Sequence, residues 1–309
     1  MANSIAIKYR QSFAAWYRRF ILGNGAYVGL LLPILIFVAV IAIYPLCFSI
    51  VISLFKYRLT DPNQTKTFIG LANYIKAFND PVIIGALGTT LQFVVGTVVL
   101  EIAFGLGLAM LLSAENFISR FIRSFLLLPM ALPPLVIGLV WKAMYNADWG
   151  VIPYYAKLIG WNMGSGPLAT PGAAMPAVIL VDVWEWTPLI MFIFLAGIKS
   201  LPTEPYEAAW VDGANRWQSF IYLTLPLLKP TFLVALLLRT MQSFKVFDII
   251  YATTAGGPGV ETAVLNYQIY KVGMVFFDMG YASALANILL IIVGILAAIY
   301  VTVLERQQL

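Results

Sequence analysis

The 309-residue sequence has no histidine, one cysteine and only 11% Asp, Glu, Lys and Arg. Each shortage removes a class of function. Without imidazole there is no Ser-His-Asp or Cys-His nucleophile and no histidine-ligated metal. Cys47 has no partner for an intramolecular disulfide, so it carries no information on redox compartment. The G-x-x-x-x-G-K-[ST] phosphate loop is absent, which leaves this chain without the means to work on ATP. A soluble domain carries about 25% charged residues. Fewer than half that share, with 61% hydrophobic residues and a mean hydropathy of +0.88, describes a chain solvated by lipid.

Six apolar runs of membrane-spanning length are present, at about 27–53, 84–112, 122–144, 174–198, 231–252 and 280–303. In hydrocarbon every backbone polar group must be satisfied within the segment, so runs of this length are helices. The expected fold is an all-α membrane protein: six transmembrane helices over 25–309, preceded by a basic segment over 1–24. Lys8, Arg10, Arg18 and Arg19 of that segment have no acidic residue among them. With a span directly following, anionic headgroups, not nucleic acid, are the matching partner for the net charge of +5. The segment is too long before its apolar run, and lacks a small-residue cleavage site after it, to read as a signal peptide. Placing both termini inside puts ten Lys and Arg on the cytoplasmic side against seven outside, which favours that orientation.

Prolines recur within the spans, most densely in Leu126-Leu127-Leu128-Pro129-Met130-Ala131-Leu132-Pro133-Pro134. Such a cluster is expected where a helix breaks beside a cavity or has to flex. Ionisable groups inside spans are costly and mark functional candidates. In the fifth span Arg239, Gln242 and Ser243 fall on one face by i, i+3, i+4 spacing, a cationic and amide surface for hydroxyl-rich or anionic solutes. In the fourth, Asp182, Glu185 and Trp186 share a face on which carboxylates could accept hydroxyls and the indole could stack on a sugar ring. These two faces are expected to line one pathway and compensate each other's charge. The competing readings are a structural Arg239 paired to a neighbouring subunit, and carboxylates still reached by water. Lys245 and Asp248, on another face, are expected to form an ion pair. Glu101 stands alone in the second span and must face protein or water.

Between the fourth and fifth spans, at about 199–229, lies Glu207-Ala208-Ala209-Trp210-Val211-Asp212-Gly213-Ala214, followed by Leu223-Thr224-Leu225-Pro226. Thr203 and Pro205 can start a short helix, as cap and first-turn proline. Asp212-Gly213 should break it, and a second helix from Ala214 to Leu223 should stop at Pro226. The pattern Glu-Ala-Ala, three residues, Gly, nine residues, an aliphatic, one residue, Leu-Pro resembles the EAA signature of inner-membrane permease subunits of bacterial ABC importers. Leu223 stands where isoleucine is commoner. Phe68-Ile69-Gly70-Leu71-Ala72-Asn73-Tyr74, Phe247-Asp248 and Gly256-Gly257-Pro258-Gly259 with Thr262 are similar to the carbohydrate-uptake branch, the maltose and glycerol-phosphate type. A departure from many relatives is Ile152-Pro153 where an asparagine follows the glycine at the position of Gly150.

The resemblance implies that Glu207, Ala208, Ala209, Asp212, Gly213 and Ala214 form a cytoplasmic coupling helix that docks on an ATP-binding subunit. It also implies both termini in the cytoplasm of a bacterial cell with this chain in its inner membrane. No cofactor is expected in the chain, since ATP and Mg would be held by the ATPase. The implied assembly contains a second, non-identical permease subunit, two ATP-binding subunits and an extracytoplasmic solute-binding protein. The function so implied is ATP-driven import of a sugar, sugar glycoside or polyol by alternating access. The alternative is an ion-coupled secondary carrier working through Asp182, Glu185 and Arg239, which would have no need of a coupling loop.

Overall fold

The computed structural model of the chain describes residues 24–63 and 66–308. The basic segment 1–24 lies, except for Asn24, outside the described residues. The first apolar run is one rod: α1 (Asn24–Val38), a π-helical turn (Ala39–Ile43) and α2 (Tyr44–Ser53). Pro45 in the first turn of α2 lacks an N–H, and its ring crowds the carbonyl four residues earlier. The wide turn that contains that carbonyl gives the ring room and keeps the rod helical. A two-residue antiparallel pair, β1 (Phe55–Lys56) with β2 (Thr67–Phe68), and α3 (Ala72–Asn79) connect the rod to α4 (Pro81–Leu111). Asp80 caps α4 by accepting from Val82 N at 3.0 Å, and Pro81 fills the first turn.

The third run is not a single helix. It comprises α5 (Phe117–Leu126), a short 3-10 turn (Pro129–Ala131) and α6 (Pro134–Met144), and the chain bends by 98° between Ala131 and Pro134. The helix expected over 122–144 is therefore corrected to two arms, the first beginning at Phe117. Leu132 and Pro133 each precede a proline and are forced to extended backbone, with ψ of 146° and 135°. A short helix α7 (Val151–Leu158) leads to α8 (Ala174–Lys199).

After the loop helices α9 (Glu204–Val211), α10 (Arg216–Ser219), a π turn (Phe220–Thr224) and α11 (Leu225–Leu227), the chain turns by 64° into α12 (Lys229–Ser243). The helix expected over 231–252 also requires correction, because it ends at Ser243 and resumes as α13 (Asp248–Thr253). No proline or glycine marks this break. Phe247 leaves helical dihedrals (φ −144°, ψ −56°) and packs its ring 5.4 Å from Tyr251 and 5.1 Å from Tyr270. The tertiary aromatic contacts override the helical preference. Helix α14 (Leu265–Tyr270), a π turn (Lys271–Val275) and α15 (Met279–Gln308) complete the chain. Among the described residues, four helices are long and apolar enough to cross a membrane, and each bent pair counted as one span brings the number to six.

Helix α8 is the centre of this bundle. Two-thirds (67%) of its apolar stretch is buried, against none (0%) for that of Leu31–Ser53. It packs along α4, whose Phe93, Val94, Thr97, Val98, Glu101, Ile102, Gly105 and Ala109 recur at helical spacing on the buried side. Gly105 sets the approach: a Cβ there would lie 2.6 Å from Ile190 Cγ2 and 3.1 Å from Met191 N, a backbone atom. Gly105→Leu is expected to cost about 1–3 kcal/mol by overpacking. Gly107→Leu on the same helix meets open space and should be neutral. Thermal unfolding of the two solubilised variants compares them directly.

Candidate functional site

The 199–229 loop is a compact helix–turn–helix. Thr203 occupies the N-cap position of α9 as expected, but its side chain makes no capping hydrogen bond; Pro205 sits in the first turn. Gly213, at φ +82°, closes α9 through two reverse bonds, Ala214 N to Ala209 O at 2.9 Å and Gly213 N to Trp210 O at 3.1 Å. A Cβ on Gly213 meets nothing within 4 Å, so this chain requires glycine there for backbone conformation and not for space. Asn215 and Gln218 then form a reciprocal cap, at 2.9 and 2.8 Å, that starts α10. That Asn-x-x-Gln spacing is itself a local sequence signal for a helix start.

Pro226 does not stop the second helix. The π turn widens the backbone before it, and the direction changes two residues later at Leu228, ahead of Pro230 in the first turn of α12. Tyr206 on α9 meets Thr224 on the π turn at 3.0 Å, which holds the two arms together. The loop nevertheless presents Trp210, Val211, Trp217 and Tyr222 at 82, 84, 67 and 74% exposure. Such a concentration of exposed large apolar side chains in one loop marks an interaction site. At the loop's entry, Lys199 binds Glu115 of the α4–α5 connection, and this hydrogen bond is the main cause holding the Glu115 carboxyl below its ordinary value.

The second feature is a buried ion cluster. Arg239 of α12 is 1% exposed. Its Nε and Nη2 donate to the two carboxylate oxygens of Glu101 on α4, the Nη2 contact at 2.7 Å, and Nη2 also donates to Asp182 on α8. The guanidinium lies 5.3 Å from the ring centroid of Trp186. Arg239, Asp182 and Trp186 are thus brought into direct contact. Arg239 finds carboxylate partners within its own chain. Asp182 and Glu185 are buried, not water-bathed. Ser243 faces α4, where its hydroxyl meets that of Thr97 at 3.1 Å. Glu185 Oε2, Thr187 Oγ1 and Gln242 Oε1 are buried without a hydrogen-bond partner.

Glu101 is the member that sequence reasoning missed. It lies 138 residues from Arg239 in the chain, and no local pattern links them. Lys245 and Asp248 do not form the expected ion pair: no salt bridge joins them among the described residues, and both are exposed along a cleft of about 540 Å³. A larger, mostly apolar cleft of about 1290 Å³ lies between the bent third run and α8, lined by Trp141, Trp161, Trp184 and Tyr145 among others. Neither of these two clefts is lined by Arg239, Gln242, Ser243, Asp182, Glu185 or Trp186.

Residues 101–308, from the ion-cluster carboxylate to the end of α15, match the binding-protein-dependent transport system inner membrane component family. The chain belongs to this family. It is a multi-pass permease of the ABC-importer type, a transport subunit. Among relatives, it is 34% identical over 277 residues to the trehalose/maltose transport system permease protein MalF of Thermococcus litoralis, covering 89% of this chain and 92% of that one. It is also 34% identical over 294 residues to the sulfoquinovosyl glycerol transport system permease protein SmoG of Agrobacterium fabrum, 95% of each. The fold matches a chain of a bacterial ABC transporter involved in importing the acidic polysaccharide alginate, with a TM-score of 0.79 at 22% identity over 96% of this chain and 99% of that one.

Proposed function

We propose that this permease carries a sugar, sugar glycoside or polyol across the inner membrane by alternating access, with ATP hydrolysed on separate subunits. The observation that carries the coupling half of this reading is the loop: a short helix closed by Gly213, with Trp210, Val211 and Trp217 exposed and uncovered by the other described residues. A groove on an ATP-binding subunit is the partner that such a surface fits. In this reading Glu207, Ala208, Ala209, Asp212, Gly213 and Ala214 are the docking residues, and the loop and both termini face the cytoplasm. The relatives named for trehalose/maltose and for sulfoquinovosyl glycerol support the carbohydrate class.

The solute half rests on the buried cluster. Asp182, Glu185, Trp186, Arg239, Gln242 and Ser243 form the wall of the path contributed by this chain, and a second, non-identical permease subunit supplies the facing wall. Two ATP-binding subunits, holding ATP and Mg, and an extracytoplasmic solute-binding protein complete the assembly. The test is uptake of radiolabelled sugars into proteoliposomes containing that assembly. Uptake should require both internal ATP and the binding protein. Uptake by this chain alone under an ion gradient would instead establish a secondary carrier.

A further inference from the structure

We infer that the path beside Arg239 admits neutral, donor-rich solutes and rejects anionic saccharides. This inference rests on the proposed solute path, and within it chooses between the hydroxyl-rich and anionic solutes that a buried arginine alone would leave open. The charge of the arginine is already compensated. Both oxygens of Glu101 and one of Asp182 take its Nε and Nη2 protons, in a two-pronged arrangement of the kind that guanidinium forms with carboxylate. With those two carboxylates ionised, Arg239 has no positive charge to spare for a solute. Glu185, three residues after Asp182 on the same face of α8 and 1% exposed, adds either nothing or a further negative charge.

Among the described residues, the buried side-chain oxygens left without a partner can all accept a hydrogen bond. Glu185 Oε2 and Gln242 Oε1 are buried acceptors without donors. A buried acceptor left unpaired is costly, and a hydroxyl satisfies it where a carboxylate or sulfonate cannot. Among the described residues, the three helices that carry the cluster place no other cation beside it. The only other basic residues of α4, α8 and α12 are Lys199 and Lys229, each at the loop end of its helix. Lys245 lies two residues past the end of α12 beside Asp248.

The test uses the purified permease–ATPase complex without the solute-binding protein, so that only the membrane path selects. Saturation-transfer NMR would measure binding of two matched pairs, maltose against maltobionate and sorbitol against gluconate. The neutral member of at least one pair is expected to bind ten-fold or more tightly than its carboxylate counterpart. Glu185→Gln, which keeps the shape and removes the ionisable group, should bring that ratio toward one. Equal or tighter binding of the anions by the unmodified complex overturns the inference alone and leaves the site in place. Binding of no probe, by a complex that still hydrolyses ATP, overturns the solute path and this inference with it. A ratio unmoved in an assembled Glu185→Gln complex likewise overturns the role given to that residue.

Discussion

Arg239→Leu should unfold the helical core more readily than any other single substitution in α12. The change leaves Glu101 and Asp182, at 0 and 3% exposure, facing one another without the cation that compensates them. Breaking a buried ion pair from one side costs about 3–5 kcal/mol, because the surviving charge stays desolvated. Replacing the whole set by apolar residues of similar volume is often neutral or stabilising. The triple variant Glu101→Leu, Asp182→Leu, Arg239→Leu is therefore expected to regain the thermal stability that the single variant loses. It should not regain transport, since the polar wall is gone. Thermal unfolding of each complex together with sugar uptake separates the two contributions. A triple variant that transports normally would show that the cluster serves packing alone. A single variant as stable as the unmodified protein would contradict the buried pairing itself.

The elements legible in the sequence are those whose causes are local. The limits of α4, α8 and α15 fall within a few residues of the apolar runs, because hydropathy and length decide a membrane-spanning helix. The short helix from Glu204 to Val211 and its glycine stop were readable for the same reason: Pro205 in the first turn and a glycine just past the end are local signals. What failed was set by tertiary contact or by a compensating turn. The interruption at 244–247 follows from Phe247 joining a cluster of tyrosines, two of which come from α14. Pro226 looked like a terminator, and a π turn placed ahead of it made it a through-residue.

The candidate site divides along the same line. Periodicity put Arg239, Gln242 and Ser243 on one face and Asp182, Glu185 and Trp186 on another, and the fold joins the two faces through Arg239 and Asp182. The third arm of the cluster, Glu101, comes from a helix with no other charge in it. Its burial could be foreseen, since an isolated carboxylate does not face lipid. Its partner could not, because spacing within one helix says nothing about which neighbour it meets.

Gly213→Trp should uncouple transport while leaving the protein in its membrane. The substitution forces a bulky side chain into the left-handed backbone at φ +82°, a conformation that costs a non-glycine residue about 1–2 kcal/mol. Relief comes by rotating the backbone out of that region. That rotation breaks the two bonds closing α9, Ala214 N to Ala209 O and Gly213 N to Trp210 O. It also swings Trp210 and Val211 relative to Trp217. The damage stays local: the position is exposed and a new Cβ meets nothing within 4 Å, so α8 and α12 keep their packing. Sugar uptake is expected to fall at least ten-fold, while the complex remains purifiable and retains basal ATP hydrolysis no longer stimulated by the loaded binding protein. Gly213→Asn is the matched control, because asparagine adopts left-handed backbone more readily than other side chains. It should keep most of the uptake. The decisive quantity is solute moved per ATP hydrolysed, measured in the same proteoliposomes for all three proteins. Normal uptake by Gly213→Trp would remove the loop from the coupling path. Equal losses in both variants would place the requirement at the missing side chain, in contact with a partner, and not in the backbone angle.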